Sequence, residues 1–562
     1  MPARLNYRPN HYYTYAELEA FLRQAARAYP KWATLHRIGK SYQKRDLLLL
    51  ELTNQATGPG DEKPGYWMDG NMHATEVSGS AVCLYSIFNL LTKRQSDVLI
   101  GDLLDRCVFY ILPRASPDGA EEALTSGRRV RSSMRYYPFP EPQDGLVPSD
   151  VNGDGEILQM RVADPLGEWK QSAKDRRLLV KRKPDDREGK FYRLHIEGTW
   201  RNFDGFHRLG PAPEHGLDHN RNYPYDWANE ARQGGSGEMP LSEPETRAIA
   251  EFIVAHPNIG CGLNYHTFSG VHLRAYCDRP DTEFNDFDLA VFKAIGARAT
   301  EITGYPTIST HHDFRYHPTK GIKGDFTDWL YEHRGIFAYV TELWSMATHA
   351  GIEVKDFIKY IRERTEEDDL KLLKWVDREL KGTGFAHWTP FEHPQVGRVE
   401  IGGWRTMYTW SNPPAHLLPA ECEKNFRFNL AHAAALPQLV ITEFRAEPVS
   451  ETVRKLTLVI ENRGWLPTQV SQKAADNKVV RPIQIALKLP RGAKLLNGRS
   501  KIEQGHLTGM VNAIIEPWAT SFWFGGAPNA HQERFEWVVQ GAGPVSVEVR
   551  SQRAGVARAA VK

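Results

Sequence analysis

Cysteine is scarce in this chain. Its five residues in 562, Cys83, Cys107, Cys261, Cys277 and Cys422, are odd in number and lack metal-finger spacing. That argues against a disulfide framework and for small apolar packing residues. Long apolar runs are missing as well. No stretch reaches the roughly 18 uncharged apolar residues of a membrane span, and the opening Met1-Pro2-Ala3-Arg4-Leu5-Asn6-Tyr7 holds no apolar leader core. A cytoplasmic location is the expectation, or a secreted one if a leader has been removed. Charge of one sign is the third absence. Lys plus Arg number 71 and Asp plus Glu 69, a net formal charge of +2, so the molecule as a whole offers nucleic acid no electrostatic footprint. The balance is uneven along the chain, however. From Pro437 onward there are 17 basic and 10 acidic residues, a surplus suited to an anionic polymer or to docking, and equally to a plain solvated face.

What the chain has is length and alternation. At 562 residues it exceeds one core, and about two to four domains are expected. From Tyr13 helix and strand signals alternate, which predicts an α/β domain on a mixed, mostly parallel twisted sheet flanked by helices. Thr14 and Glu17 read as a capping box ahead of the stripe Leu18, Phe21, Leu22 and Ala25. Segments 47–52, 108–112, 259–265 and 337–343 read as buried strands, and 77–91 and 287–302 as helices. Ser116-Pro117-Asp118-Gly119 reads as a turn, and Ser242 with Glu245 as a second capping box for a helix over 246–255. A long charged helix over 354–380 closes this first domain, residues 1–380. Within it, residues 132–213 are polar and rich in Asp, Arg, Lys and Gly, and read as an insertion. Residues 381–436 lack a sustained period but carry Pro, Gly and Trp, as a structured connector would. From 437 to 562 short alternating strands predict a small all-β, sandwich-like accessory domain.

Chemistry concentrates at a few points. His73 and Glu76, in Gly70-Asn71-Met72-His73-Ala74-Thr75-Glu76, have the i, i+3 spacing at which an imidazole and a carboxylate grip one ion, two of the three ligands of a His, His, Glu zinc site. The same pair can be a satisfied histidine near a helix start and a carboxylate complementing the helix dipole. A third ligand has to come from elsewhere. His266, in Asn264-Tyr265-His266-Thr267, ends a strand, where open α/β sheets bind ligands; His272, His311, His312 and His317 compete. Glu342 ends another apolar run, where an unpaired carboxylate is costly, so it needs either an ion-pair partner or a task. Asp218-His219-Asn220-Arg221-Asn222 sets a fork-shaped cation beside an amide, suited to gripping a carboxylate; alone, it is an ordinary surface loop.

In their order along the chain these residues resemble the pancreatic-type zinc metallocarboxypeptidase family, over roughly residues 13–380. The motifs that carry the resemblance are HxxE, Pro117-Asp118-Gly119, Arg128-x-x-Arg131, Asp218-x-Asn220-Arg221-Asn222, the strand-end His266, and Tyr316 followed by Glu342. The resemblance implies that His73, Glu76 and His266 hold one zinc ion with a water in the fourth position, and that Asp218 orients a histidine ligand. It implies that Glu342 is the general base and acid, that Asn220 and Arg221 bind the substrate's terminal carboxylate, and that Tyr316 closes over it. Arg131 matches the arginine that stabilises the oxyanion, with Arg128, Arg129 and Arg161 as alternatives. The implied activity is zinc-dependent hydrolysis of the C-terminal bond of peptides or proteins. A zinc amidase acting on cell-wall peptides or side-chain-linked glutamate would use the same metal set, and a non-catalytic peptide- or glycan-binding protein would keep the fold. The Asn220-Arg221 pair favours the first, because it needs a free carboxylate near the bond cut.

Three departures bear on these expectations. Thr75 stands where the digestive enzymes of that family carry an arginine. Phe326 and Thr327 fall near the positions lining the pocket for the terminal side chain, and neither is charged, which points to an uncharged terminal residue. Asp150, Asn152 and Asp154, with Gly153 and Gly155 between, resemble the opening of a calcium loop. Arg161 occupies the place of the loop's closing carboxylate, so a tight polar turn competes with a calcium site.

Overall fold

In the computed structural model, which describes residues 5–317, 319–515 and 530–562, the apolar runs form the middle of an eight-stranded mixed sheet. Its order, edge to edge, is Ala33–Lys40, Asp46–Leu52, Val108–Leu112, Gly65–Gly70, Ile259–Thr267, Phe337–Leu343, Val271–Arg274 and Thr307–Ser309. The four strands from Val108–Leu112 to Phe337–Leu343 run parallel, so their carboxyl ends share one rim. These strands read as unbroken apolar runs because both faces are covered. Leu48, Leu50, Tyr66, Met68, Phe109 and Ile111 pack into one core, while Leu49, Trp67, Val108 and Tyr110 pack into another on the opposite face, as a two-residue period requires.

Some local expectations change. The Ser116-Pro117-Asp118-Gly119 segment begins a helix, Pro117–Ser126, with proline in its first turn. Ser242 and Glu245 form no capping box: the helix Pro244–Ala255 has Glu243 at its N-cap without a side-chain bond, Ser242 Oγ donates to Glu243 Oε1 at 2.8 Å, and Glu245 Oε1 accepts from the Tyr42 amide at 2.9 Å. Segment 354–380 holds two helices, Phe357–Glu363 and Glu366–Glu379, because Thr365 caps the second and forms a box with Asp368. The capping box of Thr14 and Glu17 is formed. All five cysteines are free and buried.

Residues of the insertion and of the connector lie in one sheet. Its six strands run Phe385–His393, Gly397–Trp404, Gln159–Ala163, Phe191–Ile196, Trp169–Gln171 and Leu179–Lys181, joined where Ile401 pairs with Met160. The two segments also share a core that includes Leu158, Met160, Val162, Val399 and Ile401. The connector then forms a helix, Leu418–Ala434, that packs on the helices Ser78–Lys93 and Asp286–Thr303. Among the described residues no helix is long and apolar enough to cross a membrane.

After Pro437 two four-stranded antiparallel sheets face each other across a core that includes Leu456, Leu458, Ile460, Ile485, Trp537 and Val547. This part is fastened to the large sheet by polar groups. Arg553 is fully buried and donates to the carbonyls of Gly335 at 2.8 Å, Pro257 at 3.3 Å, Gln469 at 3.3 Å and Arg334; burial pushes its guanidinium down to about 9. Glu62 accepts from Arg550 at 2.7 Å and Arg558 at 2.8 Å. Asp288 accepts from the amides of Gln472 at 2.8 Å and Lys473 at 2.9 Å. Three cations of the basic C-terminal surplus thus bond to groups of the first domain.

Candidate metal centre and cleft

The loop leaving Gly65–Gly70 is shaped by an asparagine. Asn71 has a left-handed φ of 63°, and its amide donates to the carbonyls of His73 at 2.6 Å and Ala74 at 3.0 Å. The chain makes one turn, closed by Glu76 N donating to His73 O at 3.2 Å, before the helix Ser78–Lys93 begins. His73 and Glu76 therefore face each other from a turn ahead of the helix. The helix approaches the strand end closely: a Cβ on Gly70 would lie 2.4 Å from the carbonyl carbon of Gly79. His266 arrives on the neighbouring strand, level in parallel register with Glu342 on the next.

His73, Glu76 and His266 form one buried group. His73 Nδ1 is 2.9 Å from Glu76 Oε1; His266 Nδ1 is 3.0 Å from His73 Nδ1 and 3.0 Å from Glu76 Oε2. The other ring nitrogens are both engaged, His73 Nε2 by Asp218 Oδ1 at 3.0 Å and His266 Nε2 by Asn264 Oδ1 at 2.5 Å. Asn264 in turn donates from Nδ2 to Asp69, which orients its oxygen towards the ring. Both partners accept, so each ring carries its proton on Nε2 and turns the Nδ1 lone pair inward. Two lone pairs and a carboxylate about 3 Å apart repel unless positive charge lies among them. The donor set and the acceptors behind it fit zinc. Burial penalises the Glu76 carboxylate, but His73 and His266 outweigh that and hold it below the ordinary range. At His73, burial and Arg131 push down while Glu76 and Asp218 push up, and the net direction is up.

Around this group stand the other residues singled out by sequence. Arg131 reaches Asp218 Oδ2 with Nε and Nη2, each at 2.8 Å, and its Nη1 lies 4.0 Å from Glu76; its side chain is 41% exposed to the cleft. Among the alternatives, Arg128 pairs with Glu214, Arg161 donates to Glu400 at 2.9 Å between the rings of Tyr192 and Trp388, and Arg129 reaches Ser411 Oγ at 3.4 Å. Asp218 is held well below the ordinary carboxylate range, against its burial, by Arg131, Arg221 and His73. Glu342 is 8% exposed, and its Oε2 has no hydrogen-bond partner among the described residues. Burial, then the charge of Glu76, raises its carboxyl well above the ordinary value, with Arg131 and Arg221 opposing.

Asn220 and Arg221 are buried in a single helical turn, His219–Arg221, where the Asn220 amide donates to the N-cap Asp218 Oδ1 at 2.8 Å. Asn220 donates to Asp325 Oδ2 at 2.9 Å and accepts from the Phe326 amide at 2.9 Å. Arg221 donates from Nη1 to the Asn220 carbonyl at 2.6 Å, and no acid among the described residues forms an ion pair with it. Tyr316 is half-exposed, with burial and the charge of Glu342 lifting its phenol to about 12 against Arg221 and Arg131.

A model of the family described as zinc carboxypeptidase, peptidase M14, matches residues 18–367, more than half of the chain. The chain belongs to the zinc carboxypeptidase family. A second model, a domain of unknown function, matches residues 438–562. Carboxypeptidase A4 of Mus musculus is 22% identical over 59% of this chain and 63% of its own length, and carboxypeptidase O of Bos taurus 22% over 65% and 79%. Zinc carboxypeptidase A 1 of Anopheles gambiae is 33% identical over 23% of this chain and 29% of its own length. The chain thus spans less than two thirds of the length of several of these relatives. Among solved structures, carboxypeptidase A from Helicoverpa armigera aligns over 67% of this chain and 75% of its own, with 18% identity and a TM-score of 0.40. Thrombin activatable fibrinolysis inhibitor aligns over 76% and 74%, with 16% identity and a TM-score of 0.43.

This zinc carboxypeptidase family member differs at several positions from the sequence expectations. His272 is buried between the hydroxyls of Thr341 and Thr303, each at 2.8 Å; His312 bonds the Asp281 amide and His317 its neighbour Thr319, and His311 also stays outside the ligand group. Phe326 does not line a pocket: it is fully buried against Tyr223 and Trp329. Thr327 is 2% exposed with its hydroxyl on Asp325 at 2.7 Å. The loop at Asp150 closes on its own amides, with Asp150 accepting from Gly153 at 2.7 Å and Gly155 at 2.8 Å, and Asn152 from Asp154 at 2.9 Å, while Arg161 is engaged by Glu400.

Sequence reasoning passed over Asn264, Asp325 and Asn412. Asn264 lies two residues before His266 on the same strand face, a spacing that could have drawn attention to it. Asp325 is the N-cap of the helix Phe326–Arg334. It also belongs to a second buried group, with Cys277 and Asp328, where Asp328 is raised well above the ordinary value by burial and by Asp325. Asp328 accepts from the Cys277 amide at 2.8 Å, so this group braces Asn220 from behind. Asn412, in the connector, donates to Thr75 O at 2.8 Å and accepts from Ser78 N at 2.9 Å.

Proposed function

We propose that the protein is a zinc-dependent carboxypeptidase that hydrolyses the C-terminal peptide bond of peptides or proteins. The observation that carries this reading is Arg221, a buried guanidinium with one carbonyl contact and no acid partner among the described residues. It stands in electrostatic range of Glu342 and Asp218. Burying a charge without a partner is costly, and a substrate carboxylate supplies what is missing.

His73, Glu76 and His266 would hold the zinc ion, which when bound acidifies a water and polarises the scissile carbonyl. Arg221 binds the terminal carboxylate, with the remaining Asn220 amide hydrogen beside it, and so sets which bond lies at the metal. Glu342 takes the proton of the attacking water at Oε2 and passes it to the leaving amine. After burial, the charge of Glu76 is the next cause of the high Glu342 value; with that charge offset by a bound zinc ion, Glu342 would be the readier base. Arg131 donates to the oxyanion as charge develops there. Tyr316 closes the open side of the cleft.

The test is zinc content together with mass-spectrometric cleavage of a peptide library bearing free or amidated C-termini. Stoichiometric zinc and removal of single residues from free ends are expected. Equal hydrolysis of amidated ends would overturn the exopeptidase reading in favour of a general amidase.

A further inference from the structure

A cleft of about 680 Å³ lies between the N-terminal segment, the end of the helix Pro117–Ser126, the insertion and the connector, lined among others by Tyr12, Leu124, Arg129, Ile157, Met407 and Tyr408. Two of its walls are tied to the turn that carries His73 and Glu76. The segment Arg129–Arg131 is held there by Ala74 N donating to Arg131 O at 2.8 Å, and the segment 406–412 by Asn412 donating to Thr75 O at 2.8 Å. Arg129 and Arg131 are two residues apart, so their backbones lie within about 7 Å of each other, the reach of two residues of an extended peptide.

The charges lining this cleft are matched except at one point. Arg405 donates to both carboxylate oxygens of Glu156 at 2.8 Å, and His11 is paired with Glu17 at 3.0 Å. Arg129 makes one weak contact, to Ser411 Oγ at 3.4 Å, and no acid among the described residues pairs with it. The residue is exposed, so its guanidinium is open to a group entering the cleft. The walls combine aromatic and aliphatic side chains, with Tyr12 and Tyr408 in ring contact at 5.1 Å, and polar ones such as Asn10, Thr125, Thr383 and Thr406. An accessible guanidinium that no acid among the described residues pairs with suits an extended ligand that brings a carboxylate.

We propose that this cleft receives the peptide on the N-terminal side of the cleaved bond and that Arg129 pairs there with an acidic side chain. The inference rests on the exopeptidase reading for its direction, since it is the chain running away from Arg221 that reaches Arg129. Peptides with an acidic residue a few positions before the C-terminus are then the better substrates.

The experiment uses full-length, zinc-loaded protein and matched peptides with one C-terminal residue and Glu, Gln or Lys at each of the three positions before it. The Glu peptide is expected to exceed the Gln peptide in kcat/KM by about fivefold at one position, mainly through KM, with Lys below both. The preference shrinks at 0.5 M salt, is lost in Arg129→Gln and reverses in Arg129→Glu. Calorimetric binding of the same peptides to zinc-loaded Glu342→Gln separates the two ideas. Tighter binding of Glu than of Gln peptides supports the site even if the parent protein hydrolyses nothing, a result that would sink the exopeptidase reading alone. Equal affinities for the two peptides, or a preference that survives Arg129→Gln, overturn the inference.

Discussion

Two buried arginines mark the difference between the seam that holds the C-terminal sheets and the cleft at the rim of the large one. Arg553 at the seam donates to four backbone carbonyls; Arg221 at the cleft donates to one, that of its own neighbour. The acids repeat the contrast. Arg558 and then Arg550 pull Glu62 at the seam down to about 2, against a burial penalty, while Glu342 at the cleft is pushed up and keeps an oxygen without a partner. Buried polar groups are normally satisfied. Where they are complete, as at the seam, they fasten; where a cation, an acid and a set of facing lone pairs are left incomplete together, they await a ligand.

The contrast breaks furthest at Glu342. Glu342→Gln is expected to lose about 10³- to 10⁴-fold in kcat while retaining zinc, and hydrolysis at near parental rate with zinc in place would remove Glu342 from the base role. Arg221→Ala comes next, with a loss of about 10²- to 10³-fold in kcat/KM for free C-termini and little change for amidated ones; an equal loss on both would make it a structural residue like Arg553. At the seam the readout changes from activity to stability. Arg553→Met orphans several carbonyls and should destabilise the protein by about 3 kcal/mol, seen in urea unfolding, with peptide hydrolysis by the folded protein unchanged at 25 °C. Asn264→Ala is smaller. It frees the His266 ring and should weaken zinc affinity about 10- to 100-fold in a competitive chelator titration. Smallest is the pH response of the seam. The Glu62 carboxyl has a folded value of about 2, below the ordinary 4.5, so its contribution is full above about pH 4.5 and is lost as pH falls towards 2. The melting temperatures of the parent and of Glu62→Gln should converge on acidification, and a gap that persists at pH 2 would place the stabilisation elsewhere.

Much of the cleft was legible in the sequence, for a physical reason. Strands buried on both faces write unbroken apolar runs, so His266 and Glu342 stand out as polar residues at their ends, and the rim of a parallel sheet brings such ends together. The turn carrying His73 and Glu76 was legible as spacing, although it precedes the helix. Asn264 was harder, because an asparagine within an apolar run looks like an interruption until its partners, Asp69 and His266, are seen. The helix Leu418–Ala434 was not legible. It buries Asn425, Asn429 and His432 as well as Phe426 and Leu430, which erases the stripe that marks a helix with one wet face. Phe326 was misplaced because chain position does not say which way a side chain in a helix's first turn points. The pairing of Ile401 with Met160 joins residues some 240 positions apart, and no local pattern encodes a partner at that distance.

That pairing bears on how the protein can be trimmed. The insertion looks like a removable loop, yet Gln159–Ala163 is the neighbour of Gly397–Trp404, and the two segments share the core around Leu158 and Val399. Excising residues 132–213 would strip the connector hairpin of its covered edge and expose a row of unpaired backbone groups beside bare apolar side chains, a template for aggregation. Insertion and connector are therefore one inheritable unit: a shortened version of this protein has to keep both or discard both.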